Sequence, residues 1–204
     1  MTPNLSADHC ASLVKQHDPV RFVTALFAPE ATRRKLYALY ALDAELRRIP
    51  EAAREPMIIA IRFQWWRDAL AALPGTTRGH PVLTEVAGIV GPEGISTAAL
   101  KNLVDERERI AEPAITEDAI ISHAARLCGA PAGENPIAEA AAVAIVTGDR
   151  NFLAEARRLW RPVRKTRKAE LPAYLPATFV DARHPVSALR LHWRALTMAL
   201  RNRF

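Results

Sequence analysis

Cysteine is scarce in this chain: its 204 residues include only Cys10 and Cys128. Two cysteines cannot build the disulfide framework of a small secreted domain, and no other cysteine or histidine accompanies them at the spacing of a zinc site. The first 18 residues lack the apolar segment of a signal peptide and are not rich in arginine. We therefore expect a reducing compartment and a cytoplasmic location.

Long apolar runs and glycine-rich loops are also missing. No run of 18 apolar residues is free of charge, so the sequence predicts no membrane-spanning helix. None of the eight glycines belongs to a phosphate-binding loop, and none of the six histidines lies beside a serine or cysteine nucleophile signature. Nucleotide-binding loops, catalytic triads and zinc sites are therefore not indicated.

Helical patterning extends over nearly the whole chain. Half of the residues are hydrophobic and a quarter are charged, which is typical of a folded domain. Apolar residues recur at helical spacing and the short Val and Ile runs do not alternate, so we predict one all-α domain over 1–204. Prolines at 50 and 56 predict a break between the first two long helices. The predicted helices are 31–49, 57–73, 82–90, 96–110, 117–128, 135–160 and about 185–203, with 171–179 predicted as a loop.

The second long helix contains a pair of adjacent tryptophans. Neighbouring residues of an α-helix point about 100° apart, so one tryptophan can face the core while the other lines a groove. Burial of both in the core is the alternative. The apolar residues that share one face of this helix are Ile58, Ile61, Trp65, Ala69 and Leu73.

Two pairs of opposite charge lie on the first long helix. Asp43 and Arg47 are four residues apart, and Glu45 and Arg48 are three apart. Pairs at these spacings stabilise an exposed helix by about 0.2–0.5 kcal/mol each. A solvated helix face with surface ion pairs is the simplest interpretation.

Positive charge is concentrated in residues 156–204. This part has twelve Lys or Arg residues and two acidic ones, a local net charge of +10, while the rest of the chain carries −4. The asymmetry predicts an anionic partner, either an acidic protein or an anionic membrane surface with peripheral contact at the inner membrane. Nucleic acid is the weaker alternative because aromatic residues are few there and no helix-turn-helix pattern precedes them. The residues predicted to bind the partner are Arg157, Arg158, Arg161, Arg164, Lys165, Arg167 and Lys168.

The order of several motifs resembles the squalene/phytoene synthase family, the head-to-head prenyl transferases. The matching segments, which extend over 18–180, are DPVRFVTALFAPEATRRKLYALYAL (18–42), EPMIIAIRFQWWRDAL (55–70), GHPVLTEV (79–86), LVDERER (103–109) and AYLP (173–176). The resemblance implies an isoprenoid-synthase-like helical bundle with a central apolar cavity, shortened here at the C-terminus.

The chain departs from the family pattern where the enzymes bind Mg²⁺. The family holds Mg²⁺ with two aspartate-rich motifs, since a hard cation that neutralises a leaving diphosphate requires carboxylate oxygens. Arg47 and Arg48 occupy the first motif position, and no paired aspartates lie upstream of AYLP. The chain is therefore identified as a degenerate member, similar to the complex I assembly factor group, whose members are thought to act as binding proteins.

Two functions follow from this resemblance. The first is a non-catalytic protein without metal or cofactor that binds an isoprenoid or a partner. Its ligand-binding residues would be Tyr40, Arg47, Arg48, Arg62, Gln64 and Arg67. The alternative is an active Mg²⁺-dependent prenyl transferase that joins farnesyl or geranylgeranyl diphosphates. Its catalytic carboxylates would be Asp43, Glu45, Glu51 and Asp149.

Overall fold

The computed structural model describes residues 5–109, 113–179 and 188–201. These residues form eleven α-helices and contain no β-strand, so the predicted all-α class is confirmed. The helices are α1 (Leu5–His17), α2 (Pro19–Ala25), α3 (Glu30–Ala52), α4 (Pro56–Ala71), α5 (Pro81–Ala87), α6 (Thr97–Arg109), α7 (Pro113–Leu127), α8 (Pro136–Thr147), α9 (Arg150–Val163), α10 (Leu171–Tyr174) and α11 (Ala188–Leu200). Short 3₁₀ turns flank α10 at Lys168–Glu170 and Leu175–Phe179.

Helix α3 passes through the centre of the bundle. Residues 36–44 are all buried, and α1, α2, α4, α5, α6 and α7 all pack against this helix. The helix continues through Pro50 to Ala52, beyond the predicted end at 49. Pro50 removes the hydrogen bond that its N–H would donate to the Leu46 carbonyl, and the helix ends two residues later.

Helix α4 buries a different face from the predicted one. Phe63, Trp66 and Leu70 point into the core, whereas Ile58 and Ile61 are exposed. Of the predicted face, Ala69 and Leu73 are buried and Trp65 lies at the surface. The helix is apolar on more than one side and packs mainly against α6 and α3, so periodicity alone could not identify the buried face. Of the two alternatives for the tryptophan pair, the structure shows a core position for one and a surface groove for the other, and the buried tryptophan is Trp66.

The chain after residue 135 also differs from the prediction. A single helix over 135–160 was wrong: Gly148, at φ 73°, ends α8 in the left-handed conformation, and the Asp149 carboxylate accepts from the Asn151 N–H to begin α9. Residues 171–179, predicted as a loop, form helical turns and are entirely buried. A helix is possible here because Pro172 lies in its first turn, where proline is tolerated. Residues 110, 185–187 and 202–203 of the predicted helices lie outside the described residues.

The two faces of α4 predict opposite mutational effects. We expect Phe63→Ala to lower the free energy of unfolding by about 3–5 kcal/mol, because it leaves a cavity in the core. Ile61→Ala is the matched control on the exposed face and should change it by less than about 0.5 kcal/mol. Urea denaturation of both variants measures the difference. Equal losses would contradict the observed orientation of α4.

Candidate functional site

Six charged side chains from four helices and one cap form a buried network, called here the arginine–carboxylate network. Asp18 caps α2 and Arg21 lies in its first turn. The helix α3 contributes two members, α6 one and α7 one. The members are Asp18, Arg21, Asp43, Arg47, Arg107 and Glu117.

Asp43 is the centre of the network and is fully buried, with 0% of its side chain exposed. Its Oδ2 accepts from Arg21 Nη1 at 3.0 Å and lies 3.3 Å from Arg47 Nε, while its Oδ1 accepts from Arg107 Nε at 2.7 Å. Burial alone would raise the pKa of the Asp43 carboxyl, but the three arginines, Arg107 foremost, outweigh it and hold the pKa below its ordinary value. The interpretation of Asp43 and Arg47 as a solvated pair was therefore wrong, because Asp43 is buried and belongs to a larger ionic cluster. The i,i+4 spacing alone does not distinguish the two cases.

Arg21 connects Asp43 to the rest of the network. Its Nη2 donates to Glu117 Oε2 at 2.5 Å, and Glu117 Oε1 accepts from Arg107 at 3.3 Å. The Arg21 guanidinium also lies 5.3 Å from the centre of the Tyr40 ring. Burial raises the pKa of the Tyr40 hydroxyl, so Tyr40 is an uncharged part of the core beneath the network.

A cavity of about 320 Å³, called here the network cavity, opens beside these groups. One wall is ionic and includes Arg47, whose side chain is one-third exposed. The opposite wall is apolar. The lining residues are Asp18, Val20, Arg21, Arg47, Glu117, Ile145, Pro176 and Phe179.

A second depression, the α3–α4 groove, lies between the C-terminal end of α3 and helix α4. It measures about 200 Å³ and is lined by Glu45, Arg48, Ile49, Ala52, Arg62, Trp65 and Trp66. The rings of Trp65 and Trp66 meet edge to face at 5.1 Å, and His80 packs against both. Burial lowers the pKa of His80, and its Nδ1 finds no hydrogen-bond partner among the described residues.

The predicted ligand-binding residues are distributed over several places. Arg47 lies in the network cavity, whereas Arg48 and Arg62 line the α3–α4 groove. Gln64 is exposed and donates to Asp68 at 2.8 Å. Arg67 joins α4 to α6 through Asp105, at 2.6 Å, and Glu108. The structure thus brings Arg48 and Arg62 together and separates them from the other predicted members.

The carboxylates predicted for the transferase alternative are also dispersed. Both oxygens of Asp43 are engaged by arginines, Glu45 pairs with Arg48 at 3.4 Å, and Asp149 caps α9. Glu51 lies exposed near the end of α3. Across the described ranges, no three His, Cys, Asp or Glu side chains are grouped so that they could hold a metal ion. This donor set does not fit the Mg²⁺ cluster that the family resemblance implies.

The predicted basic surface lies on α9 and the turn after it. Leu153, Ala156 and Trp160 face the core, so the arginines of this helix face outward. Arg158 pairs with Glu155 at 2.5 Å. Arg167 differs from the others, because it donates to the buried Glu170 at 2.6 Å and 2.5 Å. Of the remaining predicted members, Arg164 is half-buried. The exposed ones are Arg157, Arg161, Lys165 and Lys168.

Sequence reasoning missed four members of the network: Asp18, Arg21, Arg107 and Glu117. Asp18 and Arg21 form the D-x-x-R at the start of the first matching segment, and Arg107 lies in LVDERER. These motifs are part of the family resemblance, so they indicated a shared role for the residues without showing what the residues contact. The contact of Arg107 with Asp43, which is 64 positions away along the chain, requires the tertiary fold.

The family model for squalene/phytoene synthase matches residues 14–132, more than half of the chain, and we conclude that the chain belongs to this family. The matched range includes every member of the arginine–carboxylate network. The chain is 33% identical over 110 residues to the complex I assembly factor 6 homolog of Drosophila melanogaster, which covers 50% of this chain and 33% of that protein.

The human NADH dehydrogenase (ubiquinone) complex I, assembly factor 6, is 28% identical over 104 residues, and the bovine protein of that name is 26% identical over 102. Each match covers 50% of this chain and 31% of the relative. The matches thus span about a third of the length of these curated relatives. No solved structure matches the chain.

The network predicts a strong dependence of stability on Asp43. We expect Asp43→Asn to lower the free energy of unfolding at pH 7 by about 3–5 kcal/mol, since it leaves buried arginines without their counter-charge. Glu45→Gln, two residues away on α3, removes only the Arg48 pair and should cost at most about 1 kcal/mol. Denaturant unfolding distinguishes the two variants, and a mild loss for Asp43→Asn would contradict the central role of this carboxylate.

The pH dependence has a defined sign. The folded pKa of Asp43 lies below its ordinary value of 3.8, so its stabilisation is complete above that pH and is lost as the pH falls through the folded value. The stability difference between wild type and Asp43→Asn should therefore narrow only below about pH 4. Unfolding curves measured from pH 7 downward test this. A difference that narrows near neutral pH would contradict it.

Proposed function

We propose that this chain is a non-catalytic member of its family that binds a protein partner, in the manner of an assembly factor for an NADH dehydrogenase complex. The observation that carries the proposal is the Asp43 carboxylate, both of whose oxygens are engaged by arginines. The names of the fly, bovine and human relatives support the assembly role.

Prenyl transfer requires the C–O bond to a diphosphate to break, and Mg²⁺ held by carboxylates neutralises the charge that develops. The carboxylate of Asp43 is engaged by arginines, and that of Asp149 accepts a backbone hydrogen bond. Arg47 and Arg48 bring positive charge to the positions where the resemblance implies metal ligands. These observations favour binding over catalysis.

The α3–α4 groove is the surface best suited to a protein partner. Next to it, α4 presents the exposed apolar residues Met57, Ile58 and Ile61. Exposed apolar surface beside a groove is typical of a protein interface, and tryptophan and arginine are the residues that dominate binding energy at such sites. Charges of both signs, Glu45 together with Arg48 and Arg62, line it, as is usual at the polar rim of an interface.

The basic surface of α9 supports an acidic partner. Arg157 and Arg161 are four residues apart and exposed, so they share one face of the helix. Lys165 continues the positive charge in the following turn. Such a surface accelerates the encounter with an acidic protein and orients it.

Impairing the groove should abolish the assembly role without unfolding the protein. In cells of the source organism that lack the gene, we expect the wild-type chain to restore assembled NADH dehydrogenase complex and Trp65→Asp to fail. The matched control is Val146→Asp, a similarly exposed apolar residue on α8. Native gel analysis of the complex measures the outcome.

As a control for folding, the cellular protein level and the melting temperature of both variants are compared with those of wild type and should be equal to them. Full restoration by Trp65→Asp would contradict a role for the groove. Failure of the wild-type chain to restore the complex would contradict the assembly function itself.

The network cavity favours a second candidate function, binding of an isoprenoid diphosphate without turnover. Its apolar wall of Val20, Ile145 and Phe179 suits a hydrocarbon chain. The partly exposed Arg47 can donate hydrogen bonds to an anionic head group.

Titration calorimetry with farnesyl diphosphate in the absence of Mg²⁺ tests this second candidate. We expect binding by wild type and about a tenfold loss of affinity in Arg47→Gln, because one charge-assisted hydrogen bond is removed. Arg48→Gln is the neighbouring control, since Arg48 lines the groove instead of the cavity. Absence of binding, or equal losses in both variants, would exclude this site.

A further inference from the structure

Helix α11 has one face fixed to the body of the protein. Ala195 is buried and packs with Val23 and Phe179 in a small apolar cluster. The Arg194 guanidinium lies over the Phe179 ring, 5.4 Å from its centre. The helix contacts α2 and the 3₁₀ turn at Leu175–Phe179, so one side of it is held in place.

The other face of α11 carries large apolar side chains that the described residues leave uncovered. Trp193 is 68% exposed, Leu200 is 77% exposed and Leu196 is 39% exposed. Their spacing of three and four residues places them on one stripe of the helix. An exposed apolar stripe along a helix is typical of a binding surface.

The charge around this stripe has only one sign. Residues 188–201 include three arginines, at 190, 194 and 201, and no aspartate or glutamate. Arg194 and Arg201 are seven residues apart, two helical turns, and therefore lie on the same side of α11. An apolar stripe that contains tryptophan and is flanked by arginine is the pattern of a helix that lies in the interface of a membrane.

We propose that α11 binds the surface of a bilayer that contains anionic phospholipid. Trp193, Leu196 and Leu200 insert at the boundary between head groups and acyl chains, and the exposed Arg201 attracts the lipid phosphates. At 13 residues the helix extends about 20 Å, enough to lie along the interface. None of the described helices is long and apolar enough to cross a membrane.

The charge distinguishes this surface from the apolar face of α4. That face has Glu51, Glu55 and Asp68 on the same helix or just before it, and an anionic bilayer would repel these groups. It also adjoins a groove into which a partner side chain can fit. The apolar stripe of α11 has only cationic neighbours on its helix, which favours lipid over a protein of mixed charge.

Co-sedimentation of the full chain with vesicles tests the proposal and does not depend on the assembly function. We expect wild type to bind vesicles of phosphatidylcholine mixed with phosphatidylglycerol far better than vesicles of phosphatidylcholine alone. The double variant Trp193→Ser, Leu200→Ser should bind the anionic vesicles at least about tenfold more weakly, because it removes two of the apolar side chains that insert into the bilayer. Arg201→Glu should weaken binding to anionic vesicles selectively.

The matched control is Met57→Ser, Ile61→Ser, which removes two equally exposed apolar side chains from α4. It should bind vesicles as wild type does. Lack of vesicle binding by wild type, equal binding to neutral vesicles, or an equal loss in the α4 control would each overturn the proposal. A double variant that binds vesicles normally but fails to restore the NADH dehydrogenase complex in cells would assign the α11 face to a protein partner and would also overturn it.

Discussion

The burial of the Asp43 charge is the constraint on which the rest of this structure depends. A lone carboxylate in the centre of a helical bundle would be protonated or would disrupt the fold. Arg21, Arg47 and Arg107 approach it from α2, α3 and α6, and Glu117 of α7 balances their charge. The network thus fixes how α2, α3, α6 and α7 pack together. It also engages Asp43, the carboxylate that the prenyl transferase alternative would need to bind Mg²⁺.

Much of what depends on local pattern could be predicted from the sequence, although the break at Gly148 and the helical turns of 171–179 were missed. The all-α class, most helices and the family followed from spacing and motif order. For the adjacent tryptophans the sequence left two alternatives open, and the predicted apolar face included Trp65, whereas Trp66 is the buried one. The buried face of α4 was not predictable, because the helix is apolar on several sides and only its packing against α6 chooses between them. The network was missed for a similar reason, since Arg107 and Asp43 meet only in the tertiary fold.

The surfaces proposed for binding differ in chemistry and lie in different parts of the protein. The α3–α4 groove combines apolar surface with both signs of charge and suits a protein, while α11 combines apolar surface with arginine alone and suits lipid. Phe179 lies beneath α11 and also lines the network cavity. Phe179 thus connects the fixed face of α11 to the cavity proposed as a candidate isoprenoid site.

The central claim is that the carboxylates of this chain stabilise its fold and do not activate a diphosphate. Incubation of the purified protein with farnesyl diphosphate and with geranylgeranyl diphosphate, with and without Mg²⁺, tests it most directly when both product and released diphosphate are measured. The account predicts no release above a protein-free control under any of these conditions. Mg²⁺-dependent release by the wild-type protein would contradict it and would restore the prenyl transferase alternative.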